Sequence, residues 1–464
     1  MLPIFRRLGA AGALALVFVV SLPAVTPRLY ASDEIEYFAW LRSWAFDQDV
    51  DFENEYRYFY EAGVAHDPLF HETFLERVNT KGRRENFAPV GTAVLWAPFY
   101  LAGHLTAFAT GAPLDGFSPP YIAAVTYGSA LYGMIGVLLT AGIVRRIVPS
   151  GVLPALAVWI GTPLLFYMYV APGFAHAGSA FAVSLFLWIW LRVRARWTTG
   201  GVIALGLAGG LMAIVREQDL LFAAGPALDF LRAVRLRRGA TAALRPVRAA
   251  AIAVLGTAAF VLAYLPQALA YTALNGHAGP TEVVSRKMTW TSPHFLSVLL
   301  SPEHGFFFWT PLAVLGLAGL IWLAAGRAAG AAPDARWLGA LALVMFALQV
   351  YITGAVESWT VAGAYGQRRF VAVTPLVALG LAVLLRQTAE AAPLARGTLV
   401  ATILVCIWWN LGLMAQFGLH TMDRQRLHLA ENARGVFLDL PRQLPSLAYR
   451  YLTDRSSFYR VPRQ

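Results

Sequence analysis

Charged residues are scarce in this chain, and cysteine is almost absent. Charged side chains make up only 14% of the 464 residues, whereas 58% of the residues are apolar. This composition, with repeated apolar runs of about 18 to 25 residues, excludes a soluble fold and predicts a polytopic membrane protein. Cys406 is the single cysteine, so no intrachain disulfide can form and cysteine usage does not report the redox compartment.

The chain also lacks the signatures of nucleotide-sugar enzymes and of nucleic-acid-binding proteins. No glycine-rich phosphate loop follows a strand and no DxD motif lies in a soluble domain, so a nucleotide-sugar donor is disfavoured. The net charge of +11 comes from arginines in short runs beside apolar segments, as the positive-inside rule and anionic headgroups select. We therefore expect membrane lipids as partners and no nucleic acid.

The apolar runs set the expected membrane topology. They lie near 8–25, 88–110, 118–144, 152–170, 178–191, 200–215, 219–234, 249–274, 305–326, 336–356, 368–386 and 397–418. Arginine groups such as Arg145/Arg146 and Arg232–Arg248 should face the cytoplasm. If the N-terminus is cytoplasmic and every apolar run crosses the membrane, however, these groups lie on the outer side. If instead the run 88–110, which contains Pro98 and several aromatic residues, lies on the outer surface without crossing, every arginine group lies on the cytoplasmic side. We expect about 11 transmembrane helices, with the first helix retained and not cleaved as a signal peptide.

Half of the acidic residues are concentrated in one polar segment after the first apolar run. Thirteen of the 26 carboxylates fall between Asp33 and Glu85. In the expected topology this segment belongs to a large first outer loop, residues 30–117, of a membrane domain spanning 1–418, and residues 419–464 form a short periplasmic extension. An acidic and aromatic segment beside a hydrocarbon body predicts chemistry at the outer membrane face.

Asp33 and Glu34 begin this segment and are the candidates for catalysis. Ser32 has the character of an N-cap residue, which puts both acids in the first turn of a helix beside the bilayer. Either carboxylate could be a helix cap and nothing more. The functional alternative is general base catalysis, in which a positioned carboxylate makes a hydroxyl nucleophilic.

A second acidic run is the candidate for a metal site. Asp47, Asp49 and Asp51 alternate with other residues and could bind a hard divalent cation. No EF-hand glycine or terminal glutamate spacing accompanies them, so a solvated acidic loop is the alternative. No cofactor follows with certainty from the sequence, and a divalent metal stays open.

Basic residues on the predicted outer face are candidates for holding a phosphate, because charge develops on phosphate oxygens as a lipid phosphate departs. They are Lys81 and Arg84 before the interfacial run, Arg286 and Lys287 in the loop 275–304, and Arg368 and Arg369 after the glycine-rich turn Gly363–Gly366. Interfacial anchoring is the alternative for each pair. Candidates for a substrate pocket at the same face are Arg216, Asp219, His176, Trp359 and His304. The alternatives are a salt-bridged turn for Arg216 and Asp219, a structural role for the two histidines, and a membrane-interface anchor for Trp359.

Four short stretches resemble a known superfamily. The run Asp33–Tyr56, the stretch Asn86–Phe99, the stretch Ser301–Pro311 and the stretch Trp359–Phe370 are similar to polytopic GT-C glycosyltransferases, relatives of protein mannosyltransferases and of the aminoarabinose transferase of lipid A. The resemblance implies an all-α polytopic membrane fold with juxtamembrane helices in the first outer loop. It also implies that Asp33 is the catalytic base, that Glu34 is a neighbouring helper or cap, and that an arginine at position 368 contacts the phosphate.

The function that the resemblance implies is glycosyl transfer at the periplasmic face of a bacterial-type inner membrane. A monosaccharide would move with inversion from a polyprenyl-phosphate donor to an acceptor hydroxyl on a glycan, lipid or protein. Two alternatives stay open from the sequence: a polytopic lipid or solute transporter or flippase, and a non-catalytic GT-C-like scaffold that binds lipid-linked sugar.

Overall fold

The computed structural model describes residues 3–236, 246–328, 330–361, 363–389 and 393–459. Within these ranges nearly all regular structure is helical. In chain order the helices are α1 (Pro3–Ser21), α2 (Ser32–Arg42), α3 (Glu53–Glu61), α4 (Pro68–Phe70), α5 (Gly91–Thr110), α6 (Pro119–Ile147), α7 (Leu153–Ile160), α8 (Leu164–Tyr169), α9 (His176–Val193), α10 (Thr199–Val215), α11 (Ala224–Leu236), α12 (Pro246–Asn275), α13 (Glu282–Arg286), α14 (Phe295–Leu300), α15 (Phe306–Trp309), α16 (Leu312–Ala324), α17 (Ala335–Gly354), α18 (Thr374–Ala389), α19 (Pro393–Gly418), α20 (Leu429–Arg434) and α21 (Leu440–Thr453).

Six helical segments of the described chain are long and apolar enough to cross a membrane. They are Pro119–Ile147, His176–Val193, Pro246–Asn275, Ala335–Gly354, Arg368–Ala389 and Pro393–Gly418, and shorter apolar helices cover Ala11–Ala24, Thr199–Val215 and Leu312–Ala324. The protein is therefore an all-α multi-pass membrane protein, as its composition predicts. The exact number of spans stays a prediction, and the middle of the basic stretch Arg232–Arg248, residues 237–245, lies outside the described residues.

Helix α5 coincides with the run that we expect not to cross the membrane. Its Gly103 packs so closely on the start of α6 that an added Cβ would lie 2.9 Å from the Pro120 carbonyl oxygen. Trp96 donates its Nε1–H to Ser129 Oγ at 2.7 Å, and Gly91 packs on the last turn of α10. The neighbours of α5 thus include α2, the first half of α6 as far as Tyr132, and the last turn of α10. Whether α5 crosses the membrane stays a prediction.

The predicted span 152–170 is broken into two short helices, α7 and α8, at Gly161–Pro163. The break frees the carbonyl oxygens of Ile160 and Thr162, and the fully buried Asn410 of α19 donates to them at 2.7 and 3.1 Å. Tyr365 in turn donates its hydroxyl to Asn410 Oδ1 at 2.9 Å. Because unpaired backbone groups are costly away from water, Asn410 stabilises the break and ties it to the segment that precedes Arg368.

We expect Asn410→Leu to destabilise the protein. The leucine removes the amide that donates to the carbonyls of Ile160 and Thr162. Thr162 keeps the backbone N–H of Leu165, and the Tyr365 hydroxyl keeps the backbone carbonyl of residue 410 at 2.8 Å. The main loss is therefore at the Ile160 carbonyl, at about 1–3 kcal/mol if that group stays dry. The apparent unfolding temperature in detergent should fall by several degrees. Thr402→Leu, on an exposed face of the same helix, is the matched control and should leave that temperature nearly unchanged. Equal effects of the two substitutions would contradict the role of Asn410.

The segment 30–117, the predicted first outer loop, has an aromatic core of its own, which fixes α2 in place. Phe38 and Trp40 of α2 are fully buried, and Trp40 donates its Nε1–H to the carbonyl oxygen of Ala88 at 2.9 Å. At the end of α2, Arg42 forms an ion pair of 3.0 Å with the buried Glu55 of α3. These contacts hold α2 against α3 and α5, so the first turn of α2 has a defined direction.

Candidate active site

A cavity of about 220 Å³ opens where the segment 30–117, the predicted outer loop, meets the ends of several long helices. Its wall brings together segments that are far apart in sequence: the first turns of α2, the segment before α5, the start of α9, the end of α10, the last turns of α12, the segment around α13 and the turn before α18. The lining residues are Asp33, Tyr37, Asn86, Phe87, Pro89, His176, Arg216, Glu217, Gln218, Tyr271, Pro280, Thr281, Val284, Arg368 and Arg369. Three arginines and two carboxylates thus share one small space.

Asp33 and Arg368 form an ion pair in the wall of the cavity. Arg368 Nη1 lies 2.8 Å from Asp33 Oδ2, and the two side chains are 19% and 38% exposed. The guanidinium also lies over the ring of Phe174, 5.2 Å from its centroid. The turn before Arg368 passes close to α8: Gly366 has φ 60°, and an added Cβ there would lie 2.8 Å from Pro163 Cγ. Glycine is therefore required for the backbone to reach this position.

Of the two acids in the first turn of α2, only Asp33 lines the cavity. Glu34 is fully buried, and its Oε2 accepts hydrogen bonds from the backbone N–H groups of Tyr30 and Ala31 at 2.7 and 3.2 Å. Ala31, and not the predicted Ser32, occupies the N-cap position, and Glu34 supplies the capping contacts from within the helix. The structure therefore gives Glu34 a capping role beside the cavity rather than a position within it.

Glu36 faces the segment before α5. It is buried, and its Oε1 accepts the backbone N–H of Phe87 at 2.6 Å. Asp33 and Tyr37 are four residues apart and both line the cavity, whereas Glu36, three residues after Asp33, lies beside them and does not line it. Burial, with a smaller contribution from the nearby Asp33 charge, raises the pKa of Glu36 to about 8, and burial raises the pKa of Glu34 to about 8.

These raised pKa values predict that the protein is less stable in alkaline than in mildly acidic solution. The folded state holds protons that the unfolded chain has released between about pH 4.5 and 8, so the free energy of unfolding falls as pH rises through this window. Glu36→Gln should flatten that fall, because an amide does not ionise. Thermal unfolding in detergent as a function of pH is the measurement, with the exposed Glu61→Gln as control; an unchanged slope for Glu36→Gln would contradict the pKa shift.

Two more arginines border the cavity. Arg216 contacts His176 Nδ1 and donates to Gln218 Oε1 at 3.0 Å. Gln218 donates its amide to the backbone carbonyl of Arg369 at 3.0 Å, which links the end of α10 to the turn before α18. Arg369 donates Nη2–H to Ser358 Oγ at 3.3 Å, and its Nη1 is buried with no hydrogen-bond partner among the described residues. His176, Arg216 and Arg369, three predicted site residues, therefore lie in one wall.

Glu217 and two tyrosines of α12 were not predicted as site residues. Tyr264 and Tyr271 each donate a hydroxyl hydrogen bond of 2.9 Å to Glu217 Oε1, and Tyr271 lines the cavity. Between them Gln267 accepts the backbone N–H of Val90 at 2.8 Å. The signal in the sequence is a polar stripe at positions 264, 267 and 271, which share one face of an otherwise apolar helix.

Asp219, His304 and Trp359 lie behind the cavity wall rather than in it. Asp219 is fully buried and accepts a hydrogen bond from Ser179 Oγ at 2.5 Å. Gln367 donates its amide to the backbone carbonyls of His304 and Trp359 at 3.2 and 2.9 Å. The two Gln367 contacts support the backbone just before Arg368, whereas the Asp219 contact joins the segment after α10 to α9.

The remaining predicted phosphate ligands do not line the cavity. Arg84 pairs with Glu53 at 3.0 Å, and the highly exposed Arg286 pairs with Glu282 at 2.7 Å. Lys81 packs beside Gly276, and the backbone carbonyl of Lys287 accepts a hydrogen bond from the turn that follows α17. These four residues belong to segments next to the cavity in sequence, but they are not among the residues that line it.

The acidic run of the metal prediction makes local contacts. Asp47 pairs with Arg42, Asp49 accepts a hydrogen bond from Ser43 Oγ at 2.8 Å, and Asp51 accepts one from the backbone at the start of α3. Within the ranges that the structure describes, no group of three or more His, Cys, Asp or Glu side chains could hold a metal ion. The three aspartates shape the turn between α2 and α3.

The sequence matches no protein-family model, and it matches no curated protein. Among solved structures, the chain is similar to the crystal structure of ArnT from Cupriavidus metallidurans bound to undecaprenyl phosphate. The TM-score is 0.52 at 15% sequence identity, and the match covers 96% of this chain and 72% of that chain. The likeness shows the fold, so the prediction of a GT-C-like membrane fold is confirmed.

Proposed function

We propose that this chain, with its GT-C-like membrane fold, is a glycosyltransferase that takes a sugar from a polyprenyl phosphate and transfers it to an acceptor hydroxyl. The observation that carries the proposal is the Asp33–Arg368 ion pair at 2.8 Å in a cavity that two further arginines border. A carboxylate beside a guanidinium supplies both groups that such a transfer needs: a base for the alcohol and a cation for the departing phosphate. The ArnT structure, bound to undecaprenyl phosphate, supports a lipid-linked donor.

The proposed reaction is a single displacement at the anomeric carbon. Asp33 accepts the proton of the acceptor hydroxyl as the acceptor oxygen bonds to that carbon. The bond between the anomeric carbon and the phosphate oxygen breaks, and its electron pair leaves with the polyprenyl phosphate. Attack from the face opposite the leaving group inverts the anomeric configuration. The proton and charge balance therefore needs no further co-reactant.

Arg368 serves both partners of this step in the proposal. A guanidinium presents five N–H donors in a fixed fork, so one edge can orient Asp33 while another binds a phosphate oxygen. Arg369, whose buried Nη1 has no hydrogen-bond partner among the described residues, and Arg216 add positive charge beside it. We assign the phosphate to this arginine group and the acceptor hydroxyl to the side of Asp33.

The position of the ionisable groups favours an enzyme over a transporter. Asp33, His176, Arg216 and Arg368 all belong to helix ends or to the segments next to them, as expected for chemistry at a membrane face. Transporters concentrate such groups near the bilayer midplane at broken helices. The one broken segment described above, α7–α8, is filled by Asn410 and not by a charged group.

The proposal is tested with purified protein in lipid nanodiscs. Candidate polyprenyl-phosphate sugars with a labelled sugar are supplied, and release of polyprenyl phosphate is measured with and without an extract of envelope glycans, lipids and proteins as acceptors. We expect release that depends on the acceptor extract and label that moves into it. Separately, undecaprenyl phosphate alone should bind; absence of both binding and release would refute the proposal.

A further inference from the structure

The C-terminal extension contains a strongly amphipathic helix, α21. At about 100° per residue, its apolar and polar residues separate into two arcs. The apolar arc holds Pro441, Leu444, Pro445, Ala448 and Leu452, and the polar arc holds Arg442, Gln443, Ser446, Arg450 and Thr453. An amphipathic helix of this kind is stable at an interface, where its apolar side packs against an apolar surface and its polar side stays in water.

The apolar arc of α21 is exposed in the described structure. Leu444 is 43% and Leu452 is 84% exposed, although Leu440, at one edge of the arc, is buried. The segment just before the helix adds Phe437 and Leu438, which are 42% and 55% exposed. These side chains form one apolar patch that the described part of the protein leaves uncovered, and a patch of this kind marks an interaction surface.

The C-terminal extension contacts the end of α1, where exposed side chains are also apolar. Near the end of α1, Val19 and Val20 are 59% and 72% exposed. Just beyond them, the carbonyl of Ala24 accepts hydrogen bonds from Tyr451 of α21, at 3.5 Å, and from Arg455, at 2.9 Å. Arg455 also donates to the carbonyl of Val25 at 3.0 Å. The extension is therefore fastened to the end of the apolar helix α1.

We propose that α21 lies on the membrane leaflet at the cavity end of the bundle. The apolar arc enters the boundary between headgroups and acyl chains, and Arg442 and Arg450 meet anionic headgroups. The occupant is lipid because the extension is hydrogen-bonded at the end of the apolar helix α1, and because the charged residues within α21, Arg442 and Arg450, are both basic.

This anchoring bears on the cavity through the segment that joins α19 to α20. An added Cβ at Gly363 would lie 3.2 Å from Gln425 Nε2, and the backbone N–H of Leu427 donates to the carbonyl of Pro302 at 2.8 Å. The extension is thus held between the leaflet at α21 and the turn that leads to Arg368.

The test uses the full-length chain with Cys406→Ser as background. Single cysteines are introduced as Leu444→Cys and Leu452→Cys in the apolar arc, with Gln443→Cys and Ser446→Cys as matched controls in the polar arc. Each carries an environment-sensitive fluorophore in vesicles of phosphatidylcholine with phosphatidylglycerol. We expect a nitroxide near the top of the lipid acyl chain to quench the two apolar-arc labels strongly, and aqueous iodide to quench only the two control labels.

Two results would overturn the proposal. If iodide reaches all four labels equally, the helix is in water. If the labels on the apolar arc are protected from iodide in detergent but become accessible to it when the protein is diluted, a second copy of the chain covers the patch. Charge reversal by Arg442→Glu with Arg450→Glu should lose most of the nitroxide quenching in anionic vesicles and little in neutral ones; equal quenching in both would remove the headgroup contact.

Discussion

Asp33→Asn is expected to lower the rate of sugar transfer by about 10²- to 10⁴-fold, the contribution of a positioned general base. The amide keeps the size of the side chain and can still contact Arg368, so the fold and the cavity should persist. Binding of undecaprenyl phosphate should stay equal or become tighter, because the substitution removes an anion that competes for Arg368. Single-turnover transfer and lipid binding, measured on the same preparation, separate these two effects.

The matched control is Asp51→Asn, in the same outer loop. Asp51 is exposed and caps the start of α3, which an asparagine can also do. We expect near-normal transfer from this variant, and no loss when a chelator is added. If Asp33→Asn has normal turnover, Asp33 is not the base. If Asp51→Asn loses transfer activity and a chelator causes the same loss in the unmodified protein, the metal hypothesis is restored.

Arg368→Ala is expected to weaken transfer by about 2–4 kcal/mol of transition-state stabilisation, or roughly 30- to 1,000-fold. The variant loses the charge that faces the phosphate and leaves Asp33 without its partner in the cavity wall. We expect a higher KM for the lipid donor together with a lower kcat, since the arginine acts on both the bound phosphate and the departing one. Arg368→Lys should recover part of the loss, because it restores charge but not the planar fork.

The control for Arg368 is Arg145→Ala. Arg145 is exposed in the last turn of α6, away from the cavity, and a substitution there removes the same charge from the chain. Transfer by this variant should be close to that of the unmodified protein. Similar losses at the two positions would show that the effect comes from net charge or stability and would contradict the phosphate role.

The membrane class and the GT-C-like fold could be predicted from the sequence, because long apolar runs and short motifs survive at low identity. The proximity of Asp33 and Arg368 was part of the same hypothesis, and the structure brings the two side chains to 2.8 Å. Their chemical roles stay predictions. The motif spacing was informative because Asp33 and Arg368 both lie at the start of a helical segment, where the helix restricts the direction of each side chain.

Other features depend on three-dimensional packing, which the sequence pattern does not specify. Glu34 and Asp33 are neighbours in sequence, but the rotation of about 100° per helical residue turns Glu34 away from the cavity and into a backbone cap, one of the two roles that the resemblance implied for it. Lys81, Arg84 and Arg286 belong to segments next to the cavity in sequence, but their side chains do not line it. Nearby carboxylates or packing contacts hold these flexible side chains elsewhere. The break between α7 and α8 was hidden because an apolar run does not reveal where its backbone hydrogen bonds are interrupted.

The bracing of Tyr365 determines which part of the site can move. Its ring is buried, its hydroxyl is bound by Asn410 of α19, and its carbonyl accepts a hydrogen bond from Tyr167 of α8 at 3.0 Å. Two separate helices, α8 and α19, therefore brace the backbone three residues before the guanidinium of Arg368. Admitting a long-chain donor by displacing this side of the cavity would break contacts to both helices, so we expect Arg368 to keep its position when the donor binds.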